Sequence, residues 1–332
     1  MEDKLQVLLA MVGYMLIVII IGIYFAKRSQ ANSENYFLGG RSLGPWVAAM
    51  SAEASDMSGW LLMGLPGVAY WCGIADAAWT AIGLAIGTYV NWLIISRRLR
   101  AYSIVSGDSI TVPDFLSNRF REKKKVILGI SAIFIIIFFT VYAASCFVTC
   151  GKLFSGLFGY SYHSMMIVGA AFVLLYTILG GFLAESASDF MQAIVMIIAL
   201  VGVLVFGTIN AGGIGAVIEN AQNIPGFLSL TETATPIVDA AGVQQSAAGV
   251  PLFGDASSYG FLTILSTLSW GLGYFGMPQV LLRFMAIRKS SELKRSRRIA
   301  TVWVLISLTA AVSIGVLGRY ILPADAGLAT QS

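Results

Sequence analysis

Residues 5–26, LQVLLAMVGYMLIVIIIGIYFA, run for 22 positions without a charge. Several further windows of about 18 or more residues are nearly as bare, each long enough to cross a bilayer as a helix. Lipid offers the backbone no hydrogen-bond partner, so such segments must close their N–H and C=O groups internally. The composition agrees: 57% of the 332 residues are apolar and 11% are charged, where a soluble domain is about a quarter charged. The fold class is all-α and multi-pass, set in a membrane.

Eight spans follow from the pattern, at roughly 5–26, 45–70, 73–96, 126–150, 165–184, 188–210, 257–285 and 299–322. The first is too long for a signal-peptide core and has no small-residue cleavage site, so it is expected to stay as a helix. Placing the loops alternately on two faces sorts the charges. Lys27, Arg28 and Arg41, the cluster from Arg97 to Lys125, and the seven basic residues between Arg283 and Arg298 share one face, 18 in all. Lys4, Lys152 and Arg319, three in all, share the other. By the positive-inside rule the basic face is cytoplasmic and the N-terminus lies outside. The clusters KKK and KRSRR are better read as topology signals than as ligand sites, and the +4 net charge is not a nucleic-acid signature.

The outer loop 211–256 contains no Lys or Arg and is rich in Gly, Ala, Ser and Thr. It reads as a mobile connector, with a lid as the lesser alternative. TVPDFLSNRFREKKK mixes Phe115, Leu116 and Phe120 with charge, as an interfacial helix does. Cys72, Cys146 and Cys150 lie in or beside apolar segments. Cys146 and Cys150 share a helical face, but with a single His in the chain they read as packing residues rather than a metal pair.

Two spans break the pattern. Span 2 carries SAEASDMSGWLLMGLP (51–66), with Glu53 and Asp56 among serines and a glycine. Counting from Pro45 at helical rise, Asp56 is about 16 Å deep, near the middle of a core of roughly 30 Å. A carboxylate there is costly unless it is paired or faces water, which marks it as a functional candidate. The competing explanation is an Asp that caps a helix end or pairs with a distant Arg. Span 7 reads STLSWGLGYFGMPQVLLRF, where Gly271, Gly273, Gly276 and Pro278 interrupt an apolar run lined by Trp270, Tyr274 and Phe275. Glycine loosens a helix and proline removes a donor, so this span is also expected to be discontinuous. Span 7 comes five helices after span 2, an odd offset, so the two cross in opposite directions. Interrupted helices in corresponding, inverted positions point to a secondary transporter with its site at the midplane. Freed carbonyls and hydroxyls suit an alkali cation, and freed N–H groups suit a carboxylate. Neither HExxH, a P-loop, a nucleophile elbow nor a ligand-spaced His/Cys set occurs, which argues against an enzyme.

At these residues the chain resembles the sodium:solute symporter family. The strings are FLGGRSLGP (37–45), SDMSGWLLMGLPG (55–67), FFTVYAAS (138–145), LGGFLA followed by SASDFMQA (179–193), and WGLGYFGMPQVLLRFMA (270–286). Within that family they are most similar to members that carry proline. The resemblance implies a five-plus-five inverted-repeat fold of the leucine-transporter type, preceded by one extra helix. The extra helix is then 5–26, the first repeat 45–210, the outer loop 211–256 and the start of the second repeat 257–332. It further implies sodium-coupled uptake of L-proline across the cytoplasmic membrane, with Na+ as coupling ion and no cofactor. Carried over by motif position, Asp56 is the acid needed for high-affinity sodium use, and the carbonyls of Ala54 and Met57 are sodium ligands. Ser58 and Gly59 act on ion and solute, and Arg41 belongs to the cytoplasmic end of the same helix. Tyr142, Trp270, Tyr274 and Pro278 shape the proline pocket, and Asp189 lies on the ion's route to the cytoplasm.

Two features depart from the family pattern. Glu53 stands where a small residue is expected. The second repeat also stops after span 8, short of a serine/threonine pair of sodium ligands, so the chain is expected to be part of a longer protein. Alternatives are a sodium symporter for pantothenate, another amino acid or a sugar, and a membrane input module of a signalling protein.

Overall fold

A computed structural model describes residues 2–323 and Leu328. The described chain is mostly helical and begins with α1 (Glu2–Ser29), α2 (Ser33–Leu38), α3 (Pro45–Gly59), α4 (Leu65–Cys72), α5 (Ile74–Val105) and α6 (Val112–Arg119). There follow α7 (Val126–Phe158), α8 (Tyr162–Asn210), α9 (Ile214–Gln222), α10 (Phe261–Leu268), α11 (Pro278–Ala286) and α12 (Leu293–Ile321). Among the described residues, five helices are long and apolar enough to cross a membrane: those of 5–29, 74–105, 126–158, 162–210 and 290–321. Spans 2 and 7 escape that count because each is interrupted.

The interruption in span 2 is sharp. At Ser58 the backbone leaves helical geometry (φ 34, ψ −162), a region that L-residues rarely enter. A π-helical turn, Trp60–Gly64, follows. Regular helix resumes only at Leu65, with Pro66 in the first turn, where a missing N–H removes no helical bond. In span 7 the α-helical ladder stops at Leu268, and Ser269–Phe275 continues as 3-10 helix. Pro278 then opens α11.

Spans 5 and 6 were expected to part at 185–187. The structure instead runs helix through Glu185, Ser186 and Ser188, and places the break at Gly181 (φ 52, ψ −153). As one straight rod the 49 residues would reach about 73 Å, more than twice the hydrocarbon core. Both arms flank α1: Gly22 meets Tyr176, Gly181 meets Ser29, and Tyr14 lies beside Gln192. A Cβ at Gly181 would overlap Ser29 and the Tyr36 backbone, so glycine serves both the dihedral and the close approach. The polar run ESASD is therefore a buried helical face rather than a turn.

The chain divides into two compact units, and both broken spans are cut at their breaks, after Asp56 and after Gly276. The first unit holds residues up to 56, 92–193 and 277–299. In it α3 and α11 run antiparallel: Leu43 N–H donates to Ala286 C=O, Ser51 meets Arg283, and Asp56 meets Gln279. Spans 2 and 7 thus cross in opposite directions, as the loop arithmetic required. Arg41 sits in the 3-10 turn before α3 and donates to Ser103, Asp108 and the carbonyls of Met285 and Ser109. The segment read as interfacial forms α6, capped by Thr111 through the Asp114 N–H.

The second unit holds 57–91, 194–276 and 300 onward. Here α5 lies against the 3-10 break, with Gly83 facing the Leu268 backbone and Gly87 facing Gly271. Segment 211–256 is not a featureless connector. It contains α9, strand β1 (Glu232–Thr233) paired with β4 (Ser257–Ser258), and strand β2 (Ser246–Ala247) paired with β3 (Val250–Pro251). Phe227 is fully buried, its carbonyl accepts from the Ile74 N–H, and Trp79 donates to the Leu230 carbonyl. Arg319 is also buried, held between the rings of Tyr70 and Phe253 while it donates to Gln244.

Candidate functional site

In the first unit, α3 delivers Asp56 to the last helical turn before the break. Gln279 Nε2 donates to Asp56 Oδ1 at 3.5 Å. The Tyr142 hydroxyl, from α7, reaches the carbonyls of Ser55 and Asp56 at 3.3 and 3.4 Å. Tyr142 therefore meets the helix end through its main chain. Pro278 precedes Gln279 at the start of α11.

Gln279 also starts a second group. Its carbonyl accepts from Arg283 Nη1 at 3.0 Å. Arg283, 1% exposed, further donates from Nε to Ser51 Oγ at 3.0 Å, and from Nη2 to Asp189 and Glu185 at 2.9 and 3.1 Å. Its guanidinium lies 5.0 Å over the Phe182 ring. Ser51 Oγ in turn donates to Asp189 Oδ2 at 2.8 Å. One polar network thus runs from Asp56 through Gln279 and Arg283 to Asp189, on side chains from α3, α8 and α11. Arg283 was counted among the cytoplasmic loop charges; the structure corrects this, because it is a buried cation compensated by two acids, as its burial demands.

Glu53 now has a partner. It is 1% exposed, and its Oε1 accepts from the Trp92 indole at 3.1 Å. Its Oε2, like Gln279 Oε1, is a buried oxygen without a hydrogen-bond partner among the described residues.

In the second unit the residues after the break gather separately. Met57 is buried and takes a weak contact from the Tyr274 hydroxyl at 3.9 Å to sulfur. Tyr274 is buried as well, and its carbonyl accepts from Asn91 Nδ2 at 2.8 Å. Trp60 and Trp270 pack at 4.9 Å between ring centroids, with Trp270 about half exposed. The Trp60 N–H turns to Ser58 Oγ at 3.4 Å, and Gly59 lies between them on the chain. Of the residues named from sequence, Asp56, Tyr142, Asp189, Pro278 and Arg41 lie in the first unit with Ala54. Met57, Ser58, Gly59, Trp270 and Tyr274 lie in the second. Sequence reasoning missed Ser51, Gln279, Arg283 and Glu185. The available signal was Glu185 and Asp189 four apart on one helical face, with Arg283 one turn after Gln279. No cluster of three or more metal-ligating side chains of the His, Cys, Asp and Glu type occurs among the described residues.

Comparison with known proteins gives concordant results. Sodium/proline symporters of Staphylococcus aureus, among them those of strains USA300 / TCH1516 and NCTC 8325 / PS 47, are 41% identical over 311 residues. The match covers 94% of this chain and 56% of theirs, so the chain spans little more than half the length of these relatives. A solved Na+-coupled sialic acid symporter, in a substrate-bound outward-open state, shares the fold with a TM-score of 0.73 at 17% identity. That likeness covers 95% of this chain and 61% of the other. The sequence model of the sodium:solute symporter family matches residues 36–331. These family members are transporters rather than enzymes, and this multi-pass membrane chain belongs to the sodium:solute symporter family.

Proposed function

We propose that this chain belongs to a symporter that takes up L-proline with Na+ across the cytoplasmic membrane, its N-terminus outside. The observation that carries the reading is Asp56, on the last turn before the break in its helix and bound to a side chain from an antiparallel, equally broken helix. Such a pair fits an inverted-repeat transporter, in which α3 and α11 belong to opposite repeats. Sodium is a hard cation that takes oxygen ligands. Asp56 supplies the balancing charge, and the carbonyls of Ala54 and Met57 and the groups at Ser58 and Gly59, around the break at Ser58, supply neutral oxygens. The two partnerless buried oxygens, Glu53 Oε2 and Gln279 Oε1, fit a site that binds a cation. The half-exposed face of Trp270 and the backbone of the 3-10 segment at Tyr274 suit the ring, ammonium and carboxylate of proline, and Tyr142 and Pro278 are carried over by motif as further substrate residues. Asp189 offers the ion a next stop, reached when Arg283 yields its hold on that carboxylate. Arg41, tied to four groups, fixes the end of α3 against α11.

The proline assignment rests on the identity to symporters of that substrate. The test is sodium-dependent uptake of radiolabelled L-proline by the full-length protein, with pantothenate, other amino acids and sugars as competitors. Uptake that needs sodium and yields only to proline and its close analogues supports the proposal. Sodium-independent uptake defeats the coupling, and a better competitor than proline defeats the substrate.

A further inference from the structure

A second site lies in the first unit, lined by none of the residues of the network from Asp56 to Asp189. Trp92, Leu93, Ser96 and Arg97 on α5 face Ser290, Ser291, Leu293, Lys294 and Arg297, the turn and first helical residues of α12, across a cavity of about 420 Å³. That volume is in the ~300–1,000 Å³ range of ligand pockets. Three of the lining residues are cationic and none is acidic. Of the acids beside the lining residues, Glu53 is turned to the Trp92 indole, and Glu292 is turned to Arg288, whose Nη2 donates to it at 2.8 Å. A neighbouring base, Arg295, is turned away as well, over the Trp46 ring at 5.9 Å. The positive end of a 29-residue helix, α12, opens at the same place, and helix N-termini attract anions.

We propose that this cavity binds the phosphodiester headgroup of an anionic phospholipid. Arg97, Lys294 and Arg297 provide the positive field, and the hydroxyls of Ser290 and Ser291 lie within the same lining. The apolar part of the wall decides the source of the phosphate. Trp92 and Leu293 are buried, but Leu93 is 47% exposed and its neighbour Ile94 42%, on a helix apolar and long enough to span the bilayer. A free phosphate ion has no use for that surface, whereas a lipid continues onto it with its glycerol and acyl chains. Basic pockets between membrane helices bind acidic headgroups for this reason.

The experiment is native mass spectrometry of the full-length protein titrated with phosphatidylglycerol or with phosphatidylcholine of the same acyl chains. Arg97 and Lys294 are exposed, so the pair R97Q/K294Q removes two charges without touching the core. The control pair K123Q/K124Q removes two charges from the loop before α7. Phosphatidylglycerol should be retained in preference to phosphatidylcholine, and R97Q/K294Q should weaken it by roughly 30-fold. The control pair should leave it unchanged. Equal retention of the two lipids overturns the proposal, as does equal weakening by both variant pairs. Displacement of phosphatidylglycerol by millimolar inorganic phosphate also overturns it, in favour of a site for the free anion.

Discussion

Arg283 is the residue on which the polar network depends, and Arg283→Met isolates its role. Methionine keeps much of the length of the stem but removes the guanidinium, and with it the donors to Ser51, the Gln279 carbonyl, Glu185 and Asp189. The side chains of Arg283 and Asp189 are 1% and 9% exposed, that of Glu185 36%. Asp189 is therefore left as an uncompensated buried charge, a change that costs about 3–5 kcal/mol. Glu185 can turn to solvent, and its pair contributes at most about 1 kcal/mol. The second change, Asp189→Asn, removes the stranded charge, so the double variant should regain most of the loss. The coupling in the cycle should be at least about 2 kcal/mol. Denaturant unfolding of the full-length protein in detergent, followed for wild type, both single variants and the double, measures it. Arg283→Lys should fall between, since an ammonium keeps the charge but cannot span the same acceptors. Strictly additive single changes, or an Arg283→Met protein as stable as wild type, would refute the argument that this cation is there to neutralise Asp189.

Asp56→Asn removes a unit charge that, about 4 Å from an ion at an effective dielectric near 20, is worth about 4 kcal/mol; the sodium concentration for half-maximal uptake should rise at least roughly tenfold, and unchanged sodium dependence would remove Asp56 from the site. Trp270→Ala should raise the proline KM roughly fivefold, the effect of one lost aromatic contact with the ammonium, while the sodium requirement moves less; uptake kinetics at several sodium concentrations separate the two. In a cysteine-free background, a cysteine at Ser246 should react with an impermeant thiol reagent on intact cells and one at Lys124 should not. The reverse pattern would invert the orientation.

Much of the fold was legible because breaks in membrane helices need special residues. The glycines and proline of WGLGYFGMP and the serines around Asp56 sit at the observed interruptions. The bend at Gly181 was misplaced by a few residues because LGGFLA reads as unbroken apolar helix, while the polar ESASD after it looks like a turn. Period and polarity cannot reveal that those acids face a buried Arg283. The same blindness put Arg283 among loop charges: a residue count by loop has no way to tell a solvated base from one neutralised across three helices. Glu53 was visible as an anomaly, but Trp92, its donor, lies 39 residues away on another helix and carries no local mark. The short strands of 232–258 were invisible because each pairing is only two residues long, too short for an alternating pattern to show in the sequence.

The glycines of α5 bear on how any substitution map of this protein is to be understood. Gly83 and Gly87 meet the Leu268–Gly271 backbone so closely that a Cβ at either position would overlap main-chain atoms, and a Cβ at Gly271 would overlap Gly83. An alanine there cannot be accommodated by rotating a side chain; the 3-10 segment itself must move. Positions four apart on α5 will therefore score as intolerant, next to Trp270 and Tyr274, through backbone overlap alone. Loss of transport at Gly83 or Gly87 reports a displaced backbone, and only substitutions whose effect depends on the identity of the solute identify residues that meet it.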